Sequence, residues 1–312
     1  MTKKKAEEYV NEYIKHIINF QMYGNKFCKT ILKYRNQTVN KIYRMLMDSS
    51  AFVTKTSCNT IRSKIGEELD SLTDKITNHI IEQVALVTQY EGEWIETVLS
   101  EFLEVYIYTK DIDQKKLLSA PVAYAGIIED FGKNFVNKYR SFFFDIIAAS
   151  YITGSSFEEL KESFKARKNA IDRGVKAEAE TLGSSLGTQY DRIVFTRNSK
   201  KFTGFIWSAI LDTSTCLVCG ELNGKVYHDI TKAPMYPVHP RCRCILIPFT
   251  EDILDYIPES YSSWFERQSE EDKIAILGKE RYQLYKKGLQ IKDFVNNGQI
   301  TPLKALKSKN SF

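Results

Sequence analysis

Over residues 65–87 an apolar side chain returns every three or four positions, through Ile65, Leu69, Leu72, Ile76, Ile80, Val84 and Val87, with Glu67, Asp70 and Lys75 set between them. That spacing is the period of an α-helix, and it leaves a single apolar stripe along one face. Val10, Tyr13, Ile14, Ile17 and Ile18 show the same spacing earlier in the chain, and Trp94, Val98, Phe102 and Val105 form a third stripe. Each stripe must be covered by a neighbour, so the first half is expected to form an elongated helical bundle or arm. The stripes are read as core packing and not as a cofactor site. With only 7 Pro and 15 Gly in 312 residues, turn-forming residues are too scarce for a β-protein with many reversals.

The polar stretch 110–116 and Pro121 mark a break before a further helix carrying Phe131, Phe135, Tyr139 and Phe143. Gly154 suits the left-handed residue just past a helix end, and Ser156 with Glu159 has the spacing of a capping box that starts the next helix. A domain boundary is therefore placed here. It divides the chain into a helical domain (1–153), a second domain (154–249) and a helical C-terminal extension (250–312). Within the second domain, 157–191 reads as a charged helix. Phe202, Phe205, Ile206, Trp207, Ile210 and Leu211 then form a β-prone run, with shorter extended candidates at 225–227 and 243–247. In the extension Ser269 is placed to cap a helix with Asp272 at its third position, Gly278 to interrupt it and Gly288 to end the next.

Four of the 6 cysteines fall in one short region. Cys216 and Cys219 are separated by two residues, which lets both sulfurs of a tight turn face one ion. Cys242 and Cys244 stand at i and i+2, on the same face of an extended chain. Gly220, directly after the second cysteine, is expected at positive φ where the backbone turns back under the ion. The four thiols make a complete tetrahedral set, and zinc is the expected ion; a closed set leaves no position for reactive water and is structural. His239 stands either as a replacement for one thiolate or as an outer partner. Other readings stay open: reduced or redox-labile thiols, or a catalytic pair of Cys242 and His239 that lacks an orienting third group. Cys28 and Cys58 read as ordinary buried thiols, and His16 and His79 as packed or surface histidines. The fold class expected is thus mainly α, an elongated N-terminal bundle or arm followed by a smaller α+β domain containing a zinc knuckle.

The formal net charge is +5. That mild excess is compatible with a polyanion partner and equally with a solvated basic face. Arg241 and Arg243 flank Cys242, while Arg192, Arg197, Lys200 and Lys201 lie upstream, and Arg241, Arg243, Lys200 and Lys201 are the candidate contacts to phosphate or to an acidic partner. The basic N-terminal residues are followed by no apolar stretch, so no secretory signal is expected, and Phe142–Ile152 is too short and too interrupted to span a bilayer. The protein is expected in the cytosol of the cell that makes it, without a membrane partner, where reduced thiols favour metal ligation over disulfides. No glycine-rich phosphate loop, no carboxylate pair with a nucleophile and no open metal site is found, so no enzyme is expected.

The order Trp207, Asp212, Thr215-Cys216-x-x-Cys219, Leu222-Asn223-Gly224-Lys225 and His239-Pro240-Arg241-Cys242-Arg243-Cys244 resembles the MuF-like phage head morphogenesis proteins, also called minor capsid or minor head proteins. The likeness extends upstream to Gly154–Glu159 and downstream through Ile276–Gly288 and Ile291–Val295, covering about Ile152 to Leu306. Many members carry a Thr-Glu dipeptide ahead of the motif where this chain has Thr196-Arg197-Asn198, so no role is carried over to that position. The resemblance implies a low-copy component of a tailed-phage virion that enters the head with or near the portal and in some cases leaves with the DNA. It implies as partners the portal protein and the inner capsid or scaffold surface, with phage DNA as a further contact, and as location the host cytoplasm during assembly and the capsid interior afterwards. Some members carry an appended toxin or ADP-ribosyltransferase domain; the segment after Pro248 is too short for one and reads as a docking tail. A zinc-ribbon nucleic-acid-binding protein outside the virion and a toxin-related enzyme are the alternatives.

Overall fold

The computed structural model describes residues 2–48, 54–122, 126–250 and 259–309. The chain is mainly α-helical, with long N-terminal helices and a smaller C-terminal part that contains the strands. Helix α1 runs Lys3–Met47, α2 Lys55–Leu103, α4 Phe131–Thr153 and α5 Phe157–Arg197; between α2 and α4 lie the short helix α3 (Gln114–Leu118) and a hairpin of β1 (Pro121–Val122) and β2 (Gly126–Ile127). At 1.5 Å per residue α1 is about 70 Å long, so the arm expected from the stripes is present.

The helix ends follow local chemistry. The Thr2 side chain accepts from Lys5 N–H to start α1, and Thr54 with Ser57 forms a capping box on α2. Ser156 and Glu159 form the expected box on α5, and Gly154 closes α4 at φ 70°. The second and third stripes differ from expectation. They belong to one helix, α2, which continues unbroken through 88–94, with Gly92 packed inside it against Tyr190 and Thr109; Val105 lies beyond its end, past Glu104 in the left-handed region.

The four long helices form an antiparallel bundle in which α1 neighbours α2 and α5, and α4 neighbours α2 and α5. Ion pairs record the register: Lys41 with Glu68 joins α1 to α2, Arg140 with Asp70 joins α4 to α2, and Arg35 with Asp172 (2.5 Å) joins α1 to α5. The turn at 154–156 therefore links two helices of one core, and the boundary placed there by sequence separates α4 from its packing partner α5. Helix α5 also runs on to Arg197, past the expected end near 191.

Helices α1 and α5 approach most closely where glycines face each other. A Cβ at Gly24 would lie 2.8 Å from the Glu180 carbonyl oxygen and 2.9 Å from the Ser184 nitrogen, and one at Gly183 would lie 2.7 Å from the Gly24 Cα. These obstacles are backbone, which cannot rotate away. Gly24→Ala is expected to lower stability by about 2–3 kcal/mol despite the better helix propensity of alanine, as read from chemical denaturation.

Beyond α5 the chain forms a three-stranded antiparallel sheet, with β3 (Gly204–Ala209) between β4 (Val226–Tyr227) and β5 (Cys244–Phe249). All six residues of β3 and of β5 are buried. One side is closed by the bundle, where Tyr9 Oη donates to the Pro248 carbonyl (2.7 Å). The extension is not a free tail. Helices α7 (Tyr261–Glu266), α8 (Glu270–Leu277), α9 (Lys279–Lys286) and α10 (Leu303–Lys309), with the hairpin β6 (Val295–Asn296) and β7 (Gln299–Ile300), enclose a second small core of Phe265, Leu277, Phe294 and Leu306. Ser269 caps α8 as expected, and Gly278 and Gly288 take positive φ at 75° and 108°. Among the described residues no helix is long and apolar enough to cross a membrane.

Candidate metal centre

Three pieces of chain converge below the bundle. Asp212 sets up the first: its carboxylate accepts from Ser214 N–H (2.9 Å) and receives the Arg243 guanidinium on both oxygens. That pairing holds the Asp212 carboxyl below the usual carboxylate range. The loop it folds delivers Cys216 as the N-cap of α6 (Leu217–Leu222), where its sulfur accepts from Cys219 N–H at 3.4 Å. One turn of helix then carries Cys219 round to the same side as Cys216.

The second piece is the turn at 239–242, closed by the Cys242 N–H donating to the His239 carbonyl at 3.1 Å. Arg241 takes φ 60° there, and its N–H donates to Thr181 Oγ1 of α5 at 2.9 Å. The third piece, β5, begins at Cys244 opposite Ala209 of β3. Cys242 and Cys244 are buried, while Arg241 is exposed and Arg243 half-buried.

The result is a compact donor cage. The ligand atoms of Cys216, Cys219 and His239 all lie within 4.8 Å of one another, as do those of Cys219, Cys242 and Cys244. Cys219 belongs to both sets. His239 Nε2 stands 3.2 Å from Cys216 Sγ and 3.1 Å from Cys219 Sγ, and Cys219 Sγ stands 3.8 Å from Cys242 Sγ. The residues fit a metal ion on two counts. Sulfurs each about 2.3 Å from a tetrahedral zinc are about 3.8 Å apart, the separation found between Cys219 and Cys242. His239 Nδ1–H donates to the Pro240 carbonyl (2.8 Å), which leaves Nε2 as the ring nitrogen facing the sulfurs and available to a metal once deprotonated. All six cysteines are free of disulfide bonds.

The thiols share protons unequally. Cys216 is pushed down to about 4, chiefly by the Cys219 thiol donating to its sulfur and then by His239, and His239 is pushed up to about 9 by the Cys216 sulfur. Cys219 moves up as the donor of that pair. Cys216 and Cys242 are lowered while Cys219 and Cys244 are raised, so the thiolate charge falls on one cysteine of each pair, where a divalent cation would neutralise it.

Two positions near the cage depart from the sequence reading. Gly220 lies in α6 at helical φ and not in the left-handed region; a side chain is excluded because a Cβ there would meet the Tyr261 ring at 2.5 Å. Positive φ near the cage falls at Gly224, at 79°, and at Arg241. Tyr261 also donates through Oη to the Thr215 carbonyl (3.2 Å), so the extension is seated directly on the cysteine turn.

The basic candidates do not form one patch. Arg241 Nε is tied to Glu180 (2.6 Å) and Arg243 to Asp212. Lys201 Nζ donates to the Tyr106 carbonyl (2.6 Å) and lies over the Tyr106 ring, with Lys200 exposed beside it in the turn after α5. Arg241 sits beside position 181 of α5 and Lys200 beyond its end, a distance along the helix of about 30 Å. Arg192 and Arg197 are likewise engaged, on the Pro234, Ile230 and Ala233 carbonyls and on the Lys110 carbonyl.

One cluster was not read from sequence. His16 of α1, Glu91 of α2 and Asp191 of α5 meet inside the bundle, 5%, 0% and 5% exposed. His16 Nε2 lies 2.9 and 3.0 Å from the two Glu91 oxygens, and its ring stacks on Trp94 at 3.5 Å. Burial pushes the Glu91 carboxyl up to about 8 and Asp191 well above its ordinary value, and pushes His16 down to about 4. The available signal was Glu91 itself, which falls four residues after Val87 on the apolar stripe of α2.

Compared with known proteins, the chain matches no family model, no curated protein and no solved structure.

Proposed function

We propose that this chain is a minor structural protein of a tailed-phage head, built around a zinc-stabilised knuckle and acting in head assembly at or near the portal. The observation that carries the reading is the ordered motif from Trp207 to Cys244, whose donors gather in two groups of three, Cys216–Cys219–His239 and Cys219–Cys242–Cys244, that share Cys219. Zinc suits a set of thiolates and one imidazole in a tetrahedral arrangement, and a cage closed by protein ligands gives structure and not catalysis.

The architecture suits the role. The knuckle has little core of its own and joins the long bundle, the sheet and the C-terminal module; an ion there would hold three pieces of a particle component in fixed relation. Docking to the portal, or to an inner capsid or scaffold surface, fits the arm and the engaged arginines better than phosphate binding, because Arg241 and Arg243 already have carboxylate partners in this chain. Contact with phage DNA is left to exposed residues such as Lys200.

In purified virions the protein is expected at low copy number, inside the head and associated with the portal vertex. Quantitative mass spectrometry of virions and of DNA-free heads checks this. Its absence from both would overturn the role while leaving the metal centre untouched.

A further inference from the structure

Helix α6 carries half of the donor cage and is too short to hold that half in place alone. It spans Leu217–Leu222, with Cys216 as its N-cap and Cys219 in its first turn. Helices shorter than about 12 residues are marginal without tertiary contacts. What α6 packs against therefore decides where its two sulfurs stand.

Two bodies meet it. On one side lies β3, where Cys219 and Leu222 join the main core. On the other lies the C-terminal module, whose separate core takes in Leu217.

The module holds α6 at three heights. Ahead of the helix, Tyr261 Oη donates to the carbonyl of Thr215, the chain neighbour of Cys216, at 3.2 Å. In its middle, the Tyr261 ring lies against Gly220, the chain neighbour of Cys219, where a Cβ would come within 2.5 Å of it. At its end, Asn223 Nδ2 donates to the Glu259 carbonyl (2.8 Å), while Asn223 Oδ1 accepts from Ala209 N–H (2.8 Å), opposite Cys244 in the sheet. Each cysteine of α6 thus sits beside a residue that Tyr261 holds, and Tyr261 belongs to neither group of ligands.

We propose that Tyr261 is a positioning residue of the metal centre and that the C-terminal module is its clamp, so that metal binding and seating of the module strengthen each other. The inference rests on the metal-centre reading and not on the role in the phage head. Coupling between two such events is reciprocal, and residues that orient metal ligands without touching the ion commonly carry a factor of about 10–100 in affinity.

The test uses the full chain, with zinc affinity read by competition against a chromophoric chelator. Tyr261→Ala is expected to weaken zinc binding at least about tenfold. Tyr261→Phe keeps the ring and loses one hydrogen bond, so a loss of no more than about fivefold is expected. Gly220→Ala should also cost at least about tenfold, although alanine is the better helix former, because its methyl group displaces the ring. In the Tyr261→Ala background the same Gly220→Ala change should alter affinity by less than about threefold, since the ring is gone. Two separate structural losses would instead multiply. The unmodified chain gives the reciprocal measurement: zinc added to chelator-treated protein should slow amide exchange at Phe265 and Leu306 at least about tenfold. Parent-like zinc affinity in Tyr261→Ala, losses that multiply in the double variant, or exchange that zinc leaves unchanged overturns the clamp while the metal centre stands. A parent that takes up no zinc removes both.

Discussion

Cys219→Ser is expected to empty the metal centre and unfold the part of the chain beyond α5, while the helical bundle survives. Cys219 is the one donor common to both groups of ligands, so its loss breaks each of them. Loss of a structural ion removes folding free energy directly, and the effect should be roughly 5 kcal/mol or more on the C-terminal part. Cys28→Ser is the control. Cys28 belongs to neither group of ligands, and its sulfur stands 3.7 Å from the Lys176 carbonyl, which a serine hydroxyl can also donate to, so a change of about 1 kcal/mol is expected. Metal content, thermal unfolding and limited proteolysis of parent and variants measure all three quantities. The parent, purified under reducing conditions, should hold about one zinc per chain. Metal-free parent protein with an intact C-terminal part would refute the centre.

Glu91→Gln should alter the dependence of stability on pH. The folded chain holds the Glu91 proton up to about 8, whereas the ordinary carboxyl value is 4.5, so this group's contribution is greatest on the acid side and is lost as pH rises through that window. His16 acts with the opposite sign between about 4 and its ordinary 6.5, because its folded form gives up a proton that the unfolded chain keeps. The two effects offset below 6.5. Above it the glutamate acts without that offset, and Asp191, also raised by burial, adds in the same direction. The other titratable groups around the cluster, Tyr9 and Tyr13 of α1, Tyr190 of α5 and Tyr236, are all raised above 10 and stay neutral in this range. Glu91 alone should therefore lower stability by about 2 kcal/mol between pH 6.5 and 8, at 1.36 kcal/mol per unit, with Asp191 steepening the fall. In Glu91→Gln much of that slope should disappear, because the amide fills the same space and cannot ionise. An unchanged slope in denaturation curves across this range would show that the proton is held elsewhere.

The fold was legible where the signals are local. The Ser269 cap, the capping box at Ser156 and Glu159 and the left-handed Gly154 act within a few residues and appear in the structure as the sequence predicts, and the apolar stripes are helical, although the second and third share one helix and Val105 lies beyond it. The candidate centre was legible for a related reason. A two-residue gap between Cys216 and Cys219 and an i, i+2 pair at Cys242 and Cys244 bring sulfurs together within each pair whatever surrounds them.

What the sequence left open depends on distant neighbours. The role of Gly220 is set by the ring of Tyr261, which arrives from the C-terminal module, so a reading from local backbone needs assigned it the wrong reason. The arginines read as a basic patch, but Glu180 and Asp212, from α5 and from the loop before Cys216, claim Arg241 and Arg243. His16, Glu91 and Asp191 stand on three helices and carry no common motif; only the bundle register makes them neighbours. By itself the sequence determined that the first half is helical, where α4 stops and α5 starts, and which cysteines can meet, because those follow from backbone hydrogen bonding and from side-chain period. The tertiary structure alone decided which charges are paired, which acids are buried and which apolar residues stay exposed, because burial and Coulombic contact are properties of surfaces brought together and not of any one segment.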